Sequence, residues 1–212
     1  MSKSSIGPLF AITEWITKFA YVNFLWIIFT FVGLVFFGFF PATIAMFTLM
    51  RKWLIGNSEI PVFKTFWTTY KKEFIKSNLI GLIIFLFAGI VYADLRFMES
   101  NPDSLLIITQ IPLYLFIFTF VLTLLYLFPV YVHYDVKIYQ MFKNAFLIML
   151  VNPLYNLMMI AGIIVTYFSL TFIPGLIFFF GGSVMTYIIM WPCYQAFQKI
   201  EQKKEQISEV NS

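Results

Sequence analysis

Phe19–Phe40 reads FAYVNFLWIIFTFVGLVFFGFF, without one formal charge. As a helix this run would rise about 33 Å, enough to cross the hydrocarbon core of a bilayer. Leu105–Val132 repeats the pattern and is also free of charge. Around these runs the chain is 61% apolar and 21% aromatic, with 11% charged residues that cluster between the apolar stretches. A 212-residue chain cannot hide that much apolar surface in a water-soluble globule, so its solvent is lipid. The fold class expected is all-α: a polytopic membrane helix bundle of about five transmembrane helices, plus a cytoplasmic amphipathic helix.

Working outward from Phe19, residues 1–18 place Leu9, Phe10, Ile12, Trp15 and Ile16 along one side of a helix, with Glu14 and Lys18 on another. This predicts a short interfacial N-terminal segment, and no cleavable signal peptide is expected. The first span is 19–40, ending at Gly38 and Pro41. Ala42–Met50 is too short to cross alone; it either extends the first span past a kink or re-enters as a half-helix. In segment 51–78, Gly56-Asn57 marks a turn and Pro61 suits a helix start. Val62, Phe63, Phe66, Trp67, Tyr70 and Phe74 then recur at helical spacing, with Lys64, Lys71, Lys72 and Lys76 between them. This is an amphipathic helix with a basic side, suited to an anionic leaflet, running into a second span at 79–97. Asn101-Pro102-Asp103-Ser104 is a turn and helix-start signature. Further spans are predicted at 105–132, 145–172 and 173–196, the last two separated by a bend at Pro174-Gly175, and 197–212 is a polar tail. The whole chain, 1–212, reads as a single membrane domain with no room for a soluble catalytic one.

With five spans, one side of the membrane holds segments 51–78, 133–144 and 197–212. These carry eleven of the fourteen Lys and Arg. The positive-inside rule puts that side, and the C-terminus, in the cytoplasm. The N-terminus is then outside, or inside if Ala42–Met50 re-enters the membrane.

Tyr21-Val-Asn-Phe-Leu-Trp26, Phe39-Phe-Pro-Ala-Thr43 with Ala45, Arg51-Lys-Trp53, Phe63-Lys-Thr-Phe-Trp67, Tyr70-Lys-Lys72 and Phe74 resemble the first half of YesL-like proteins. These are small integral membrane proteins of the bacterial cell membrane that form a domain of unknown function. The resemblance covers roughly residues 9–100; beyond it, layout matches more than motif. Members often sit beside carbohydrate uptake systems, including ABC-type sugar permeases. The resemblance therefore implies a role in sugar uptake or its regulation, and it supplies no active residue.

Ionisable groups inside spans would mark function, and few exist here. Asp94 and Arg96 lie at the outer end of the second span, either as interfacial charges that pair locally or as a polar mouth for a solute. His133, the lone histidine, and Asp135 are either boundary residues or a proton shuttle. Asn23, Asn152 and Asn156 read as packing amides. Asn152 can alternatively satisfy backbone opened by Pro153, and such amides with stacked aromatics could form a sugar site. Lys64, Trp67, Lys71, Lys72 and Lys76 are candidates for lipid or partner contact.

The lone Cys193 excludes an intrachain disulfide and a paired-cysteine zinc site. Phosphate-binding glycine loops, His-Glu-x-x-His and Gly-x-Ser-x-Gly are missing from the sequence. No enzyme, cofactor, metal or nucleic-acid partner is expected. The reading is an accessory or regulatory membrane component of carbohydrate uptake, partnered by the lipid bilayer and by an ABC-type sugar permease or a sensor. A facilitator for a neutral solute such as a sugar, or a structural membrane protein, are the alternatives. The oligomeric state stays open.

Overall fold

The charge-free run from Phe19 to Phe40 is not one helix. In the computed structural model it is divided between α1 (Ile6–Val32) and α2 (Phe36–Leu54). Leu34 and Val35 adopt left-handed backbone, φ 58° and 65°, and reverse the chain. A positive φ costs about 1–3 kcal/mol at each of these non-glycine residues. Local bonds hold it: Val35 N–H donates to the Thr30 carbonyl at 2.8 Å, and Leu34 N–H to that of Phe31 at 2.9 Å. Gly38 then lies so close to α1 that a Cβ there would stand 2.3 Å from the Thr30 carbonyl oxygen. The absent side chain is what lets the two helices close.

The structure describes the backbone of residues 6–100, 104–134 and 136–210, and the side chains of 10–100, 110–134 and 136–209. Asp135 and positions 101–103 of the Asn101–Ser104 turn lie outside the described residues. After the α1–α2 hairpin come α3 (Val62–Ser100), α4 (Ser104–His133), α5 (Ile138–Val151), α6 (Pro153–Phe172) and α7 (Pro174–Val210). Five helices are long and apolar enough to cross a membrane: Phe10–Val32, Val62–Ser100, Gln110–His133, Pro153–Phe172 and Pro174–Glu209. The molecule is an all-α polytopic bundle, with α2 packed among these five.

α2 is the heart of the core. Eleven of its nineteen residues are buried, among them Ala42, Ala45, Met46, Leu49 and Met50. Its Gly, Ala and Thr suit a helix that packs against α1, α3, α4 and α7, because small residues allow close helix approach. It runs antiparallel to α1: Trp26 Nε1–H donates to Thr43 Oγ1 at 3.0 Å, and the Trp15 and Trp53 rings meet edge-on with centroids 5.5 Å apart. Lys18 Nζ donates to the Ser58 carbonyl at 3.0 Å. The start of α1 therefore lies beside the α2–α3 connection. Of the two arrangements the sequence leaves open for Ala42–Met50, the structure has the returning one, as a full helix.

Other expected boundaries also shift. Residues 6–18 are the first turns of α1, not a separate helix. The amphipathic segment and the second span are one 39-residue helix, α3, roughly 58 Å long. The stretch 145–172 breaks at Asn152 into α5 and α6, and the polar tail continues α7 to Val210.

Three asparagines stitch the bundle. Asn23, 1% exposed, inserts its amide into the ladder of α7: Nδ2–H donates to the Phe178 carbonyl at 2.6 Å, and Oδ1 accepts from Gly182 N–H at 2.9 Å and Ser183 N–H at 3.0 Å. Pro41 lies inside α2 and cannot donate to the carbonyl four residues earlier, at Phe37. Asn78 on α3 donates to that carbonyl instead, at 3.0 Å. Pro153 likewise cannot donate to the Met149 carbonyl, which accepts from Asn152 N–H at 3.4 Å and from Asn156 Nδ2–H at 3.0 Å, while Asn156 Oδ1 accepts the Tyr126 hydroxyl at 2.7 Å.

A basic pocket as the candidate functional site

α2 leaves the apolar core with Arg51-Lys52, α3 enters with Lys72 and Glu73 two to three turns along, and α4 ends at Tyr131–His133. These residues meet around a polar pocket of about 430 Å³, whose wall also includes Thr48, Thr69 and Tyr134.

His133 is the hinge of this arrangement. Its side chain is 9% exposed, ringed by Phe197 (centroids 4.5 Å apart) and Tyr134 (4.6 Å). Arg51 Nε–H donates to His133 Nδ1 at 3.2 Å, so Nδ1 is the accepting nitrogen. The ring proton then sits on Nε2, 3.2 Å from Glu201 Oε1 on α7, and is donated to that carboxylate. A neutral histidine thus links α2, α4 and α7 with both nitrogens engaged. The chain Arg51–His133–Glu201 fixes the direction of the guanidinium. Its terminal nitrogens have no hydrogen-bond partner among the described residues.

The opposite wall carries Glu73. It accepts the Tyr131 hydroxyl and stands 3.7 Å from Lys72 Nζ. Lys76 lies over the Tyr131 ring at 4.9 Å. Burial, with the charge of Glu201 adding to it, pushes the Tyr134 hydroxyl up to about 12, and Tyr134 lines the same pocket. With neutral His133, the lining carries Arg51, Lys52 and Lys72 against the single carboxylate of Glu73.

The sequence-derived candidates separate. His133 belongs to the pocket; Asp135 lies outside the described residues. Lys72 lines the pocket and Lys76 leans on Tyr131 beside it. Lys64, Trp67 and Lys71 form an outward strip on α3, with Lys71 Nζ 4.7 Å above the Trp67 ring. Behind them Phe66 and Tyr70 are buried against Phe29 of α1. Asp94 and Arg96 lie far away on exposed turns of α3, where Arg96 bonds Tyr92 and Glu99, both at 3.0 Å. Asn152 is buried and donates to the Ile148 carbonyl at 2.9 Å, so it closes α5; the bond lost at Pro153 is supplied mainly by Asn156. Among the described residues no group of three or more His, Cys, Asp or Glu could hold a metal ion.

Arg51, Lys52, Glu73, Tyr131 and Glu201 were not singled out as site residues from sequence. The available signal was the position of Arg51-Lys52 as the first charges after a long apolar run.

Over 198 residues the chain is 40% identical to the uncharacterized protein YteU of Bacillus subtilis (strain 168), covering 93% of this chain and 89% of the relative. The model of the family described as "Protein of unknown function, DUF624" matches residues 19–95. The chain belongs to the DUF624 family. Two further relatives from the same strain agree: the uncharacterized proteins YesL (38% identity; 90% of each chain) and YesV (34%; 97% of this chain, 99% of the relative). No solved structure matches. These DUF624 relatives support the resemblance to YesL-like proteins and bring no activity with them. The matched segment spans the second half of α1, all of α2 and most of α3, so it contains Arg51, Lys52, Lys72 and Glu73. Tyr131, His133 and Glu201 come from the part of the chain beyond it.

Proposed function

We propose that this DUF624 protein is an accessory or regulatory membrane subunit that docks a partner at its basic end, on the cytoplasmic side. The observation that carries the reading is the separation of chemistry from the interior. The helices pack through Phe, Leu, Met and Ala, and the cavities of about 300 and 480 Å³ along them are lined by apolar side chains with a few threonines. Polar and charged groups collect where α2, α3 and α4 meet. Of the described Lys and Arg, only Arg96 lies toward the other end. Such asymmetry favours a cytoplasmic basic end. The outward strip of Lys64, Trp67 and Lys71 presents an aromatic anchor, Trp67, flanked by two cations, as the edge for a neighbouring membrane protein. Association with carbohydrate uptake, through a sugar permease or a sensor, comes from the resemblance to YesL-like proteins alone.

The test is affinity purification of the full chain in gentle detergent, with and without Lys64→Gln, Trp67→Ala and Lys71→Gln together. A stoichiometric membrane partner that is lost in the triple variant supports the proposal. Solute flux through liposomes containing only this protein would replace it with a facilitator.

A further inference from the structure

We propose that the pocket between α2, α3 and α4 is a binding site for a phosphate group, with Arg51 as its principal ligand and Lys52 and Lys72 as supporting cations. The inference goes beyond the accessory role and stands whether or not a partner exists.

The orientation of Arg51 is the first support. An arginine at the end of a membrane helix ordinarily snorkels toward water with a loosely held head. Here one edge of the guanidinium is tied down by His133, itself nearly buried and held from behind by Glu201. That leaves the terminal nitrogens as a fixed fork on the pocket wall, the geometry that recognises phosphate through parallel hydrogen bonds.

Charge is the second support. Three cations face one carboxylate, and Glu73 is occupied by the Tyr131 hydroxyl with Lys72 nearby. The remaining positive charge has no counter-charge among the described residues lining the pocket, and an anion would supply it. Thr69 and Tyr134 line the same pocket, and about 430 Å³ is room for a phosphate with its attached group.

Place is the third. Arg51 and His133 are the residues at which α2 and α4 pass from apolar to polar sequence, the depth at which lipid phosphates lie. Two sources share this chemistry: the headgroup of an anionic lipid and a free phosphate or phosphorylated solute from the aqueous side.

The experiment uses the purified full chain in a neutral detergent, with thermal unfolding followed against two probes, dioctanoyl phosphatidylglycerol and inorganic phosphate. Arg51→Gln and Lys72→Gln are compared with the parent; Lys203→Gln on α7 is the control outside the pocket. Saturable stabilisation by at least one probe, weakened about tenfold by Arg51→Gln or Lys72→Gln and unchanged by Lys203→Gln, supports the site. Response to the lipid alone assigns a headgroup; response to inorganic phosphate assigns a soluble ligand. Lys72 is exposed, so its variant keeps the test decisive should Arg51→Gln disturb folding. Stabilisation by neither probe overturns the proposal, as does binding that survives both pocket substitutions.

Discussion

Asn78 on α3 donates its side-chain amide to the backbone carbonyl of Phe37 on α2 at 3.0 Å, the bond that Pro41 cannot make. The bond lies on the exposed side of the bundle, where lipid offers no donor, and an undonated carbonyl there costs about 1–3 kcal/mol. Asn78→Ala is therefore expected to lower stability by about 1–2 kcal/mol. In a Pro41→Ala background, where residue 41 again carries an N–H, the same substitution should cost clearly less. A double-mutant cycle from unfolding in detergent measures the difference. Equal costs in both backgrounds would refute the coupling.

Asn23 makes three bonds into α7, two of them to N–H groups at Gly182 and Ser183. Hydrogen bonds between membrane helices average about 0.6 kcal/mol each, so Asn23→Leu is expected to cost about 2 kcal/mol once lost packing is included. Asn23→Asp keeps the acceptor and loses the donor to Phe178, while also burying a charge or a proton. It is expected to be no better than leucine. Unfolding midpoints of the two variants check the order.

The α1–α2 hairpin depends on Gly38. A Cβ at this position meets the Thr30 carbonyl oxygen at 2.3 Å and that of Phe29 at 2.6 Å, both rigid backbone. Gly38→Ala should destabilise by several kcal/mol or prevent accumulation of folded protein, because the two helices would have to separate. At Gly89 a Cβ meets nothing within 4 Å, so Gly89→Ala should be neutral or slightly stabilising. Side-by-side yield and melting temperature of the two variants provide the comparison.

The helical class and the membrane as solvent were legible in the sequence because long charge-free runs permit little else. Five helices long and apolar enough to cross were legible for the same reason. The α1–α2 reversal was not. Its left-handed residues are Leu34 and Val35, which carry no turn signature, and the run around them looks like one uninterrupted span. Pro41 gave the opposite signal: it reads as a helix end, yet it sits inside α2, where the carbonyl it leaves undonated, that of Phe37, is met by the Asn78 amide forty-one residues further along the chain. The pocket was hidden in the same manner. Arg51 and His133 are 82 residues apart, and His133 and Glu201 are 68 apart. Local spacing paired His133 with Asp135, whereas its described bonding partners come from other helices.

α2 returns the chain through the bundle, so the start of α1 and the α2–α3 connection share one end. Single cysteines at Glu14→Cys, Asn57→Cys and Glu99→Cys, in a Cys193→Ser background, can be labelled in intact cells with a membrane-impermeant maleimide before and after permeabilisation. Positions 14 and 57 are expected to label together, both only after permeabilisation, and position 99 to label from outside. Labelling of 14 and 57 from opposite faces, the result a single span at 19–40 would give, would rule out the return of the chain along α2.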